Sequence, residues 1–458
     1  MKTGTENWIV MSEKQKVREL IPALRKMPAL EIAQTLEPLE EASILEALEF
    51  FSPEEQGKII VEMEMGRQLA FFQQVSKKRF APIFENMASD DRCDLFQHMS
   101  QEEQVALLPY LTKTVREDVI KLSAYPPETA GGIMSTDFAT VLASMTVESA
   151  ISKVRRDSPS KKMIYYIYVV DHRMKMVGFV SLKDLIMSSP SQLISDVLHE
   201  NFVHVHVDED REEVAKLIES YDLLAIPVLN HAGQLVGIVT QDDAIDVIRA
   251  EHTEDMEKFM GIMQESEGAD YLGTSTMGHF KKRVVWIVSL AAVGIISGMI
   301  IHRFEATLEA LIILALYMPM VADTGGNSGS QAATVIVRSL ALGQVAPKQW
   351  FQIIFKEFKI SFLLAICLGV LAFGKVLFLS WETTVPPEYS LMQIASVIAL
   401  ALSLQVVTAT CIGAGLPLLV RRFGGDPAVA ASPAITTVVD VTGLLIYFTV
   451  TVTLLGLS

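Results

Sequence analysis

MVADTGGNSGSQAATVIVRS occupies Met320–Ser339. The stretch before it, LEALIILALYMP (308–319), is apolar enough to open a membrane-spanning helix. Hydrocarbon does not solvate an aspartate, an asparagine, serines or a glutamine, so a run of this composition has to face protein or water. Read as a helix, Asn327, Gln331, Thr334 and Arg338 fall on one polar face. Gly325, Gly326 and Gly329 either let another helix approach closely or let this one break. Small residues and amides that join helices to one another are the alternative use of the same run.

Working outward, five apolar segments are each near the ~20 residues that cross a bilayer. They cover 284–302, 308–337 (broken by the polar run), 359–380, 391–420 and 428–457. Positive charge alternates along them. KKR (281–283) precedes the first, Arg338, Lys348, Lys356 and Lys359 lie between the second and third, and Arg421 and Arg422 lie between the fourth and fifth. The opposite loops, HRFEATLE and WETTVPPEYS, are poor in lysine and arginine. This pattern predicts a multi-pass protein of the cell (inner) membrane with its N-terminal part cytoplasmic and its C-terminus extracytoplasmic. The start, MKTGTENWIV, has no extended apolar core of a cleavable signal.

The last segment contains ASPAITTVVDVTGLLIYF, in which Asp440 has no basic residue in its own span. Thr436, Asp440, Gly443 and Tyr447 share a face. A carboxylate at this depth costs about 2.5–3.5 kcal/mol on insertion scales, so it faces a cavity or a partner. A cation site with Asp440 at its centre is the expectation; a protonated aspartate bonded to a neighbouring helix is the alternative.

Half of the 458 residues are hydrophobic, yet 20% are charged and the net charge is −16. A uniform globule does not combine these, but an acidic soluble part joined near Lys281 to an apolar membrane part does. The acidity argues against a nucleic-acid partner. Cys93, Cys367 and Cys411 are too scattered for a disulfide framework or a zinc cluster.

In the soluble part, SPEEQGKIIVEM (52–63), SDDRCDLFQHM (89–99) and SQEEQVALLPYL (100–111) repeat a pattern of serine, acids and then an apolar face. Ser52 with Glu55, and Ser100 with Glu103, fit the capping box, predicting stacked short helices. Asp90 and Asp94 fall on one face of such a helix. A second repeat aligns IYVVDHRMKMVGFVSLKDLI (167–186) without gaps on IPVLNHAGQLVGIVTQDDAI (226–245), each reading as strand, turn, strand and helix start. Amphipathic helices precede both, at 147–156 and 210–220. The repeat resembles a tandem pair of CBS domains over roughly 133–250. In that family a serine or threonine followed three residues later by an aspartate often holds a ribose; Ser181 with Asp184 and Thr240 with Asp243 match. DDAIDVIRAEHTEDMEKFMGIMQ (242–264) then reads as one long helix with Asp242, Asp246, Glu251, Glu254, Asp255 and Glu257 on its surface.

The whole order resembles the MgtE family of magnesium channels. YPPETAGGIM (125–134), ADTGGNSGSQ (322–331) and TTVVDVTGLLIYF (436–448) are similar to its recurring motifs, with Ser330 standing where the family's run more often has an asparagine. The fold expected is a multidomain membrane protein. It has an α-helical superhelical N-domain (1–130), an α/β tandem CBS pair (133–190 and 191–250), a long connecting (plug) helix (251–280) and a five-helix transmembrane domain (281–458).

The resemblance implies a homodimer in membrane lipid, with no obligate further protein partner, that passes Mg2+ into the cytoplasm and is closed by Mg2+ bound between its cytosolic domains. Asp440, Thr436, Thr437, Asn327 and Gln331 are the pore candidates. Asp440, Asp426, Asp90, Asp94, Asp246, Glu254, Asp255 and Glu257 are the candidate metal ligands, with an ion expected to bridge Asp426 to the acidic helix. ATP is the candidate ligand of the CBS pair. Oxygen donors without a histidine–cysteine cluster suit magnesium rather than zinc or copper. Two rival readings stand beside this one: an ion-coupled transporter of another divalent cation, and an intramembrane aspartyl protease built on Asp323 and Asp440.

Overall fold

The computed structural model describes residues 20–157, 163–263, 274–430 and 432–457. The expected connecting element therefore lies partly outside the described residues, as does the N-terminal stretch read for a signal. The chain divides into two compact units, Met1–Glu251 and His252–Ser458.

The first unit begins with short helices: α1 (Ala29–Leu36), α2 (Glu41–Leu48), α3 (Pro53–Val61), α4 (Met65–Gln74), α5 (Lys77–Glu85), α6 (Ser89–His98), α7 (Gln101–Leu107) and α8 (Lys113–Leu122). Serines set where α3 and α7 start. Ser52 and Ser100 accept from the backbone amides of Glu55 and Glu103, and both glutamates bond back to the serine amides. Each helix packs on the next but one, α1 on α3, α2 on α4, and so to α6 on α8. This is the contact pattern of a superhelical stack, and its core holds Leu36, Leu48, Ile60, Phe72, Phe80 and Phe84, all fully buried.

The YPPETAGGIM stretch locks this stack to the next module. Its helix α9 (Ala130–Ile133) sits where the Ala130 and Gly131 amides donate to the carbonyls of Glu209 and Val207 at 2.7 and 2.9 Å. A Cβ on Gly132 would run into the Pro126 carbonyl, so glycine is required there. Beside it the Ser89 and Ser135 hydroxyls are 2.8 Å apart, and Thr136 Oγ1 donates to Asp118 at 3.0 Å.

Two equivalent three-stranded sheets follow. The first holds β1 (Phe138–Leu142), β2 (Met163–Val170) and β3 (Met176–Ser181), with α10 (Val147–Asp157) after β1 and α11 (Leu182–Met187) after β3. The second holds β4 (Val205–His206), β5 (Ala225–Leu229) and β6 (Leu235–Thr240), with α12 (Arg211–Ser220) after β4. In each, the first pair is parallel and the second antiparallel, and the matched glycines fall at equivalent positions: Gly178 opposite Val169, Gly237 opposite Val228. The gapless sequence repeat is thus a structural repeat.

Helix α13 (Gln241–Phe259) leaves the second sheet directly. The connecting element differs from the expected 251–280: its helix starts earlier and stops at Phe259. Gly261, at φ +70°, takes the left-handed conformation that ends helices. Residues 276–280 already belong to the next helix.

The second unit contains α14 (Thr276–Val293) and α15 (Ile295–Arg303), which meet at Gly294, then α16 (Glu305–Ala310), α17 (Ile313–Ala341), α18 (Trp350–Leu379), α19 (Leu391–Arg422) and α20 (Ser432–Leu455). Among the described residues, four helical stretches are long and apolar enough to cross a membrane: Thr276–Arg303, Pro347–Leu379, Leu391–Arg422 and Ser432–Leu455. The fifth expected span, α17, is 29 residues long but stands outside that apolar group because of its polar run. It runs unbroken through the polar run, so of the two uses read for its glycines, a break or a close approach, the break is not the one seen. The glycines there serve packing instead. α17 lies against α19 and α20, and α19 also against α18, around a core that includes Leu314, Ile398, Val406, Tyr447 and Phe448.

Candidate functional site

The polar run of α17 divides into two faces with different neighbours. Gly325, Gly326 and Gly329 are buried. A Cβ on Gly325 would strike the Gln405 side chain, and one on Gly326 would stand 3.0 Å from Thr436 Cγ2 and 3.7 Å from Asp440 Oδ1. Gly329 meets the Ala409 carbonyl at 3.1 Å in the same sense, and Gly413 of α19 rests on the Gly329 backbone. These glycines bring α17 and α19 to backbone contact and let side chains of α20 pack directly on the α17 backbone. The opposite face, Asp323, Asn327, Gln331, Thr334 and Arg338, is exposed along its whole length. At 1.5 Å per residue it forms a polar stripe about 22 Å long, most of the ~30 Å hydrocarbon thickness.

Ser330 belongs to the packed side rather than to the stripe. The Ser432 hydroxyl donates to Ser330 Oγ at 3.1 Å, and Ser330 Oγ lies 3.2 Å from Thr436 Oγ1. Thr436 Oγ1 in turn donates to the Ser432 carbonyl at 3.0 Å. The serine at this position is therefore a hydroxyl link between α17 and the start of α20. Thr437 likewise donates its proton to the Pro433 carbonyl, 3.0 Å away. Both threonines keep oxygen lone pairs for a water or ion, while their protons are committed to the backbone.

Asp440, half-buried on α20, faces α17 at Gly326. The helix turn that carries it is gripped from α19: Gln405 Nε2 donates to the Val439 carbonyl at 2.9 Å. Sequence reasoning missed Gln405, although a lone amide deep in the apolar run ALSLQVVTATC was a usable signal.

The end of α13 is packed into the same unit. Phe259 rests on a buried cluster of Ala333, Ala409, Ile435 and Val439, drawn from α17, α19 and α20. Lys258 Nζ reaches Asp426, in the corner between α19 and α20, at 3.0 Å, and also pairs with Glu254. Burial alone would lower the Lys258 ammonium, but hydrogen bonds from it to Glu254 and Asp426 outweigh that and hold it above the ordinary lysine range. An ion bridging Asp426 to the acidic helix was the reading from the residues; in the structure a lysine of that helix pairs with Asp426. Asp246 pairs with the exposed Arg249 at 3.5 Å. Glu251 receives Arg211 Nε at 2.9 Å, so it is not a free surface acid. Asp255 and Glu257 are part-exposed on the same helix.

In the first unit, Asp90 and Asp94 sit one turn apart on α6, with Asp94 3.4 Å from His98 Nδ1. Among the described residues, no three His, Cys, Asp or Glu side chains converge as a metal site. The Ser181–Asp184 pair closes a capping box at the start of α11, with Ser181 N donating to Asp184 Oδ2 at 2.9 Å and His199 Nε2 lying 3.0 Å from the same oxygen. Burial would raise the Asp184 carboxyl, but these hydrogen bonds bring it below the usual aspartate range. Thr240 and Asp243 repeat the pair at the start of α13, Thr240 Oγ1 donating to Asp243 Oδ2.

Residues 318–450 match the model of a family described as MgtE, divalent cation transporter, and residues 27–128 that of the MgtE intracellular N domain. Residues 130–190 and 194–250 each match the CBS domain. The chain is 37% identical over 364 residues to the magnesium transporter MgtE of Thermus thermophilus, covering 79% of this chain and 78% of that one.

The chain belongs to the MgtE family.

A second MgtE, the magnesium transporter of Bacillus subtilis, is 30% identical over 442 residues, 96% of this chain and 95% of its own. Among solved structures, the cytosolic domain of the Mg2+ channel MgtE in complex with ATP is 30% identical and covers 50% of this chain and 94% of its own, with a TM-score of 0.48. MgtE is a transporter family and not an enzyme family, which removes the aspartyl protease reading. The enzyme-named relatives, such as a homoserine O-acetyltransferase of Methanohalobium evestigatum at 28% identity over 24% of this chain, are partial CBS-domain matches.

Proposed function

We propose that this MgtE-family chain carries Mg2+ across the cell membrane, into the cytoplasm and down its electrochemical gradient, through a pathway lined by the exposed stripe of α17 and by Asp440. The stripe carries the reading. Five polar side chains spread over most of a bilayer's depth are costly against lipid and are tolerated only beside water or protein. A second copy of the chain across a two-fold axis turns each stripe into half of a wet conduit and supplies two Asp440 carboxylates. Mg2+ sheds water reluctantly and keeps several waters beside one or two carboxylates. Two aspartates with Thr436, Thr437, Asn327 and Gln331 as partners for those waters suit such a hydrated ion. The alternating positive loops support a cytoplasmic N-terminal part and an extracytoplasmic C-terminus.

Closure belongs to the end of α13. Phe259 packed on the Ala333–Val439 cluster, with Lys258 on Asp426, holds that end against the transmembrane helices. In this reading Mg2+ bound among the cytosolic acids, Asp90, Asp94, Asp246, Glu254, Asp255 and Glu257 among them, favours the closed state, because bridging cations relieve the mutual repulsion of carboxylates. A shift of this kind requires tighter binding to the closed form than to the open one. ATP at the CBS pair is part of the same proposal, supported by the carboxylates of Asp184 and Asp243 beside their capping hydroxyls.

The test is flux into liposomes containing the purified protein and a Mg2+-sensitive dye. Uptake driven by a Mg2+ gradient alone, and suppressed by Mg2+ on the cytosolic face, is the expected result. Uptake that occurs only with an imposed proton or sodium gradient would establish a coupled transporter instead.

A further inference from the structure

We propose that Gln405 is a positioning residue for Asp440, setting ion selectivity through the backbone. The inference rests on the reading of Asp440 as the pore carboxylate. Gln405 is fully buried in the middle of α19. Its Nε2 donates to the Val439 carbonyl at 2.9 Å, and that carbonyl shares a peptide unit with the Asp440 amide. The contact therefore holds the peptide plane from which the Asp440 side chain springs. The same carbonyl also accepts from Thr442 Oγ1 at 3.0 Å, so two side chains fix it from two helices.

The slot for the amide is built by what is missing around it. A Cβ on Gly443 would stand 2.5 Å from Gln405 Nε2, and one on Gly325 would collide with the same atom. Glycines on α17 and on α20 thus admit one side chain from α19 between them, at the level of Asp440.

The chemistry is a poor choice for stability alone. Gln405 Oε1 is buried with no hydrogen-bond partner among the described residues, and an orphaned acceptor in an apolar interior is destabilising. A methionine would occupy the slot without that defect. What the glutamine adds is a donor aimed at one peptide.

Selectivity is where a small displacement of Asp440 is read. Mg2+ demands near-ideal octahedral geometry, whereas Ca2+ accepts a looser shell. The experiment compares Mg2+ and Ca2+ flux in proteoliposomes of full-length wild type, Gln405→Met, Gly443→Ala and Asp440→Ala, with thermal unfolding of each in detergent. Gln405→Met is expected to lower the Mg2+-to-Ca2+ flux ratio by roughly tenfold, the low end of what loss of a partner that orients a metal ligand costs, with a Tm equal to or above wild type. Gly443→Ala, which expels the amide from its slot, is expected to lower the ratio likewise. The ratio does not depend on how much protein folds, so a low yield leaves the test intact. A wild-type ratio in both variants, with Asp440→Ala inactive, overturns the role of Gln405 and leaves the pore assignment standing. Wild-type flux in Asp440→Ala overturns both.

Discussion

Lys258 Nζ lies 3.0 Å from Asp426 Oδ2 and also bonds Glu254, so one ammonium joins the end of α13 to the corner between α19 and α20. The lysine stands where two carboxylates from different elements would otherwise need an external cation. Its raised pKa means that the clamp is fully present below the ordinary lysine value and is lost only as pH rises through the higher folded value. Physiological pH changes do not release it from the lysine side.

Removing that ammonium is the first test of how α13 is held. Lys258→Met leaves Glu254 and Asp426 facing one another without a counter-charge. The pair is about one-third exposed, so its worth is that of a screened ion pair, about 0.2–1 kcal/mol. The cytosolic Mg2+ concentration that halves flux is expected to rise by up to roughly fivefold. An unchanged or lower midpoint would show that the clamp does not favour closure.

The glycine contacts predict sharply unequal costs for the same substitution. Gly413→Ala drives a Cβ into the Gly329 backbone, which has nowhere to yield, while Gly298→Ala meets nothing within 4 Å among the described residues. Thermal unfolding in detergent should show Gly413→Ala destabilised by at least about 1–3 kcal/mol. Gly298→Ala should match or slightly exceed wild type, since alanine is the better helix former. Equal stability of the two variants would contradict the close crossing of α17 and α19.

Exposure along α17 is testable by thiol chemistry. In a Cys367→Ser, Cys411→Ser background, Asn327→Cys and Gln331→Cys should react with a membrane-impermeant thiol reagent in intact proteoliposomes. Ala333→Cys, at a buried position, should not. The remaining Cys93 is silent on physical grounds: it is buried, and that burial, with Asp94, Asp118 and Asp90 nearby, pushes its thiol up to about 12. At pH 8.5 its thiolate fraction is about a thousandfold below that of an ordinary cysteine. Labelling of Ala333→Cys as fast as Gln331→Cys would contradict the two-faced reading of α17.

Much of this organisation was legible in the residues. The capping serines Ser52 and Ser100 marked helix starts because that chemistry is local. The paired strands of the CBS repeat were legible because a gapless duplication displays its own register. The long apolar helices followed from composition, and Asp440 stood out because a carboxylate is rare among such neighbours.

What remained hidden depended on contacts distant in sequence. The glycines of α17 were equally compatible with a break and with close packing; only Gln405, Gly413 and Thr436 beside them decide for packing. Ser330 read only as a serine in place of the family's asparagine; its hydroxyl is claimed by Ser432 and Thr436, a hundred or more residues away. Lys258 was legible only as the neighbour of acids, because its partner Asp426 lies 168 residues downstream. Gly261 ended α13 earlier than its charge pattern suggested.

The most direct measurement is Mg2+ flux through Asp440→Ala in liposomes, per molecule of correctly inserted protein, beside wild type. Flux at the level of empty liposomes, with unfolding behaviour like that of wild type, is the result expected of a carboxylate that holds the passing ion. Flux at the wild-type rate would contradict it and remove Asp440 from the pathway.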